Sequence, residues 1–190
     1  MENSLTWPFL ASTAKPYIKV VACPKKELME FLASVKNPYI NPLPCPEKEL
    51  DEFLASKPED IFIGVVDGTK STNKKCFLAQ VAKAFEFPDY FGMNWDAFED
   101  CITDFMWIFS RQFMMVITDA ENFLTKKPFF QRKPRYGKPE DDLKIFHSIM
   151  EQALADWNEK YKVSFHMILH CEPEQETKLL ARLQEAGFKL

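Results

Sequence analysis

Histidine is almost missing from this chain of 190 residues: there are three, His147, His166 and His170. His166, His170 and Cys171 lie at one strand end with no fourth ligand in sequence reach, a poor metal site. Packing in the core or at a sheet edge is the better expectation for them. Glycine is also scarce, at five residues, and no P-loop, G-x-G-x-x-G, G-x-S-x-G or H-E-x-x-H pattern occurs. The familiar nucleotide, hydrolase and zinc-protease sites are thereby excluded, and no cofactor or metal is expected. The five cysteines are an odd number without a C-x-x-C pair, which argues against a disulfide framework and for reduced thiols. No stretch approaches the ~18–20 apolar residues of a membrane span. The N-terminus has Glu2, no basic region and an apolar run broken by Pro8, so it does not read as a signal peptide. A soluble, cytoplasmic protein is expected. Its formal charge of −4 is too mild to indicate a nucleic-acid partner.

One absence is local. Residues 85–105, FEFPDYFGMNWDAFEDCITDF, hold six carboxylates (Glu86, Asp89, Asp96, Glu99, Asp100, Asp104) and no Lys, Arg or His. Asn94 is a good N-cap, and a helix starting there puts Trp95, Phe98, Ile102 and Phe105 on one face. Asp96, Asp100 and Asp104 then share another face at i, i+4, i+8, with Glu99 beside them. The helix dipole favours acids in the first turn, but like charges four apart cost roughly 0.2–0.5 kcal/mol. Folding alone gives no reason to stack them, so a positively charged partner is expected there.

Around this stretch the pattern is that of an α/β domain. Tyr17–Ala22 could form a short strand. Ala22–Ser34 and Pro44–Ser56 are a repeat, identical at ten of thirteen positions with a 22-residue offset, and each copy reads as a short amphipathic helix. A paired thiol site at Cys23 and Cys45 is conceivable, but a duplicated helix packed on the main domain is the simpler expectation. Residues 37–44, NPYINPLP, form a proline-rich linker. Continuous apolar runs at Ile61–Val66, Gln112–Thr118 and Val163–His170 predict buried strands. Helices are predicted over 71–85, over 140–160 with Leu143, Phe146, Met150, Ala153 and Trp157 inward, and over 172–186, stopped by Gly187. Strands that are apolar on both faces and alternate with helices indicate a small parallel sheet of three strands flanked by helices. The expected division is an N-terminal extension, 1–59, with the duplicated helix, and a domain, 60–190, with an extra C-terminal helix.

The loop 125–139, TKKPFFQRKPRYGKP, has six basic residues and no acid. Basic residues among aromatics can hold RNA, yet they equally suit a solvated loop or an arm against the protein's own acidic surface, and RNA binding is not the favoured reading. Asp96 and Asp100 do not form a glycosidase pair, because such carboxyls face each other across a cleft rather than lie along one helix. The chain does not read as an enzyme.

Residues 87–103, FPDYFGMNWDAFEDCIT, resemble the central segment of the barstar family, intracellular protein inhibitors of barnase-type ribonucleases. The pattern P-[DE]-Y-[YF]-G-x-N-x-D-A-x-x-D-C-[LI]-T is matched at every fixed position, with the expected strands and helices on either side, over about residues 60–171. The resemblance implies a three-stranded parallel sheet with helices, no catalytic activity, and a basic ribonuclease as partner, blocked by the acidic helix and the loop before it. It places Tyr90, Asp96 and Asp100 at the contact positions, Asp100 as the central anchor, and a further acid at about Glu140, or with a small slip Asp141 or Asp142. Asn94, Glu99 and Asp104 complete the expected partner-binding set. Where the family's best-known member has Trp before the anchoring Asp, this chain has Glu99. That exchange and the N-terminal region motivate an alternative, an interaction module of the same fold with a non-ribonuclease partner. The oligomeric state and the cognate enzyme are not legible in the sequence.

Overall fold

The protein is described by a computed structural model at residues 13, 15–34, 61–110, 112–125 and 141–189. The second repeat copy, most of the basic loop and Glu140 lie outside these described residues. Four strands form one sheet: β1 (Ile18–Ala22), β2 (Ile61–Asp67), β3 (Gln112–Thr118) and β4 (Ser164–Cys171), in the order β1-β4-β3-β2. All three pairings are parallel, with Ile18 opposite Met167, Gln112 opposite Ser164 and Ile61 opposite Gln112. The expected parallel sheet with flanking helices is found, but it has four strands rather than three. The added strand comes from the N-terminal region. Short and only half-buried, β1 contributes a weak apolar signal, and it gains its place by hydrogen bonding along β4.

The helices are α1 (Lys25–Ser34), α2 (Lys74–Ala84), α3 (Trp95–Thr103), α4 (Asp142–Ala155) and α5 (Glu176–Ala186). On one face of the sheet Phe62, Val66, Phe113, Met115, Phe165 and Met167 meet the apolar sides of α2 to α5 in one large core. On the other face Val21, Ile61, Met114, Val116 and Ile168 form a smaller cluster closed by Leu28 of α1, with Phe31 and Leu32 at its edge. The abundance of phenylalanine has a use here. Phe77 is fully buried and its ring lies 5.0–5.8 Å from those of Trp95, Phe98, Phe123 and Phe146, in the tilted and edge-to-face arrangements that aromatic quadrupoles favour.

Several local features follow from single residues. Asn73 caps α2 by accepting from the Cys76 N–H at 3.1 Å. A Cβ on Gly64 would stand 2.2 Å from the Phe85 ring, so only glycine lets this buried phenylalanine come this close to β2. After α4 the chain makes a π turn over residues 156–160. Its buried Asn158 donates to the carbonyls of Leu154 (2.8 Å) and Phe165 (2.7 Å) and accepts from the Phe165 N–H. α5 ends on Gly187 at φ 103, and Phe188 N–H donates to Leu183 O at 3.0 Å, closing a left-handed C-cap.

At the carboxyl end of β2, burial alone would push the Asp67 carboxyl up. Hydrogen bonds from Thr69 and Lys70 outweigh it and hold the group at about 2. A carboxyl held below its unfolded value of roughly 4 contributes stability that is complete above that value and lost as pH falls through about 2. Urea unfolding of Asp67→Asn should therefore show a flatter decline of stability between pH 4 and 2 than the parent chain.

Candidate functional site

The acidic stretch folds as a loop, residues 86–94, followed by α3. Phe87 N–H donates to Ala82 O and Phe91 N–H to Pro88 O, and the chain turns through Glu86 and Met93 at φ 50 and 52. Asn94 Oδ1 accepts the Ala97 N–H at 2.9 Å and its Nδ2 donates to Gly92 O at 3.2 Å. Asn94 is thus committed to starting the helix and fixing the loop. The inner side of α3 is Trp95, Phe98, Cys101 and Ile102, all buried.

Two indoles clamp this helix to α4 and to the π turn that follows it. Trp95 Nε1 donates to Asp142 Oδ1 at 3.1 Å near its start, and Trp157 Nε1 donates to Ile102 O at 2.9 Å near its end. The second bond satisfies one of the carbonyls that a helix terminus leaves without an internal partner. The Lys74 ammonium sits over the Trp95 ring, 5.4 Å from its centre, where a cation is attracted to the aromatic face.

The outer side carries the charge. Asp96, Glu99 and Asp100 are exposed on consecutive turns of α3, and Tyr90, in the loop before it, is 79% exposed. Among the described residues none of Asp89, Asp96, Glu99, Asp100 and Asp104 has an ion-pair partner, although six such pairs are found elsewhere. Asp104 departs from the expected stripe. The helix stops at Thr103, whose hydroxyl donates back to Glu99 O at 2.7 Å, and Asp104 turns into an extended conformation. Its Oδ1 accepts the Met106 N–H at 3.2 Å, so this carboxylate shapes the following turn. Phe105, also past the helix end, stays buried by stacking on Trp157.

Of the expected partner-facing residues, then, Tyr90, Asp96, Glu99 and Asp100 are exposed, the last three on the outer side of α3. Asn94, itself exposed, serves as the cap of α3, Asp104 lies past its end, and Glu140 is outside the described residues. Asp142, which the sequence offers only as a slip from Glu140, touches α3 through the Trp95 indole. Its signal in the sequence is no more than its place at a helix start. The buried histidines are elsewhere. His166 and His170 sit within β4, and His170 Nε2 donates to Cys23 O at 2.9 Å while Nδ1 accepts the Asp119 N–H. No group of three or more His, Cys, Asp or Glu among the described residues is arranged to hold a metal ion. The four described cysteines are free, and burial pushes the Cys171 thiol up to about 11, leaving it protonated and unreactive near neutrality. No helix among the described residues is long and apolar enough to cross a membrane.

Residues 61–170, more than half of the chain and spanning β2 to β4, match the family model described as Barstar (barnase inhibitor). No curated protein matches the chain.

Proposed function

Because the chain belongs to the barstar family, we propose that it is an intracellular protein inhibitor of a basic ribonuclease, which it blocks with α3 and the loop before it. The observation that carries this reading is the row of exposed carboxylates, Asp96, Glu99 and Asp100, on a clamped helix, without an ion-pair partner among the described residues. A ribonuclease cleft is lined by cations shaped for a polyanion. Carboxylates at i, i+4 are about 6 Å apart along the helix axis. They offer those cations charge-assisted hydrogen bonds in place of phosphates, without a bond that can be cleaved.

In this scheme Asp100 is the anchor, Asp96 and Glu99 flank it, and Tyr90 supplies a flat amphipathic contact at the rim. Asn94 and the two indoles act indirectly, by holding the helix in one place. Preorganisation of this kind lowers the ordering cost of association, and complementary fields speed the encounter. The free thiols suit a reducing compartment.

Calorimetric titration with a barnase-like ribonuclease at low and physiological salt tests the proposal, together with inhibition of RNA cleavage. Tight 1:1 binding that weakens as salt rises is the expected result. Absence of both binding and inhibition at either salt overturns it. Glu99, exposed where the family's best-known member presents Trp, favours a second reading, in which the same surface holds a basic protein that is not a ribonuclease. Capture of such a partner, lost on Asp100→Ala, would favour it.

A further inference from the structure

The β1–α1 unit is docked through main chain and side chain alike. Met167 N–H donates to Tyr17 O at 2.8 Å and Cys23 N–H to Cys171 O at 3.2 Å. These two bonds set residues 17, 19, 21 and 23 against β4 and point the N–H groups of Ile18, Val20 and Ala22 away from it. At the carboxyl end of the sheet the Lys25 ammonium pairs with the Asp119 carboxylate, and the Lys25 N–H donates to Glu172 Oε1 at 3.0 Å. Asp67 and Glu121 also draw on the Lys25 charge. Below, Leu28 closes the apolar cluster on this face.

Once the unit is seen to begin at residue 15, the repeat proves longer than a helix. Residues 15–34, KPYIKVVACPKKELMEFLAS, and 37–56, NPYINPLPCPEKELDEFLAS, agree at 13 of 20 positions. Beyond the helix the added identities are Pro, Tyr and Ile, at 16–18 and 38–40, and one of the five β1 positions is identical. The differences sort by position. Pro42 and Pro44 stand for Val20 and Ala22, whose N–H groups do not serve β4, so a strand of the second copy would lose no ladder bond. Asp51 stands for Met29, which is exposed. Cys23, whose carbonyl receives His170, and Leu28 have identical counterparts in Cys45 and Leu50. Position 25 reverses a contact with the domain, since Lys25 pairs with Asp119 and lies in the field of Asp67 and Glu121 where the second copy has Glu47; position 15 loses an exposed one, Asn37 standing for the Lys15 that pairs with Glu159 at 3.0 Å.

Chain length pulls the other way. With 15–34 docked, 26 residues (35–60) separate α1 from β2; with 37–56 docked, four (57–60) would. Short connections are the rule in α/β units, and closing a shorter loop costs less entropy.

We propose that the β4 edge and the adjoining sheet face are a docking site for which two segments of this chain, 15–34 and 37–56, are rival occupants, and that the Lys25–Asp119 pair selects the first. Hydrogen exchange of the full chain, read by peptide mass spectrometry, tests this. In the parent protein the amides of 15–34 should be protected and those of 37–56 not. In Lys25→Glu/Glu47→Lys the protection should move to 37–56, with a change of roughly tenfold or more in each segment. Glu47→Lys alone changes no residue of the docked copy. It removes the only repulsion against the second copy, so protection there should rise and that of 15–34 fall. Protection that stays on 15–34 in both variants, or that covers both segments of the parent protein at once, overturns the proposal.

Discussion

Replacing Asp100 by alanine is expected to weaken binding to a basic ribonuclease by about 2–5 kcal/mol, the usual cost of truncating one partner of a desolvated charge pair, for which the barnase–barstar complex is itself the reference system. At about 1.4 kcal/mol per decade this is roughly 30-fold to several-thousand-fold in Kd. Asp100 is exposed and has no ion-pair partner among the described residues, so the free protein should not suffer. It should become slightly more stable. Asp100 lies four residues after Asp96 in a helix whose last turn holds no basic residue, where a negative charge opposes both its neighbour and the dipole. Titration calorimetry and urea unfolding on the same variant separate the two effects. Loss of affinity accompanied by comparable loss of stability would mean that Asp100 supports the fold and is not a contact. Unchanged affinity would move the anchor elsewhere on the surface.

The largest effect on stability is expected at Phe77. Its ring has no exposed surface and touches rings from α3, from α4 and from the turn after β3. Phe77→Ala removes those contacts and leaves a cavity that its neighbours, held by other packing, cannot fully close. The cost of such a truncation is about 3–5 kcal/mol, which for a chain of this size lowers Tm by roughly 6–20 °C. Because Phe98 and Trp95 rest on the same ring, α3 should loosen with it, and affinity for the partner should fall although no contacting residue has changed. Thermal unfolding followed by binding measured well below the new Tm checks both halves. A Tm within a degree or two of the parent would show that the aromatic cluster repacks freely.

What could be read from the residues alone divides along physical lines. α3 was legible because an N-cap, an apolar stripe and a charged stripe all agree over 94–103. The strands β2 to β4 were legible because they are apolar on both faces. The place of Asp104 was not, since the periodicity that puts it on the stripe does not register where the helix stops. That point is set by the Thr103 hydroxyl bonding backward and by the turn built on the Asp104 carboxylate. β1 shows the complementary difficulty. Five residues including a lysine could form a strand, but that they complete the sheet depends on hydrogen bonds to β4, more than a hundred residues away. The same holds for Asp142, whose nearness to α3 is a fact of packing between Trp95 and α4.

The unbalanced last turn of α3 also bears on how the energy landscape is drawn. Nearly every other choice along this segment agrees with its neighbours: the cap, the buried stripe, the two indole bonds. The carboxylates at Glu99 and Asp100 are the exception, a local conflict of the sort that minimally frustrated sequences retain where function requires it. In the proposed function, a cationic partner surface resolves that conflict on contact. The complex, rather than the free chain, is then the state in which this segment of sequence is fully consistent with its structure.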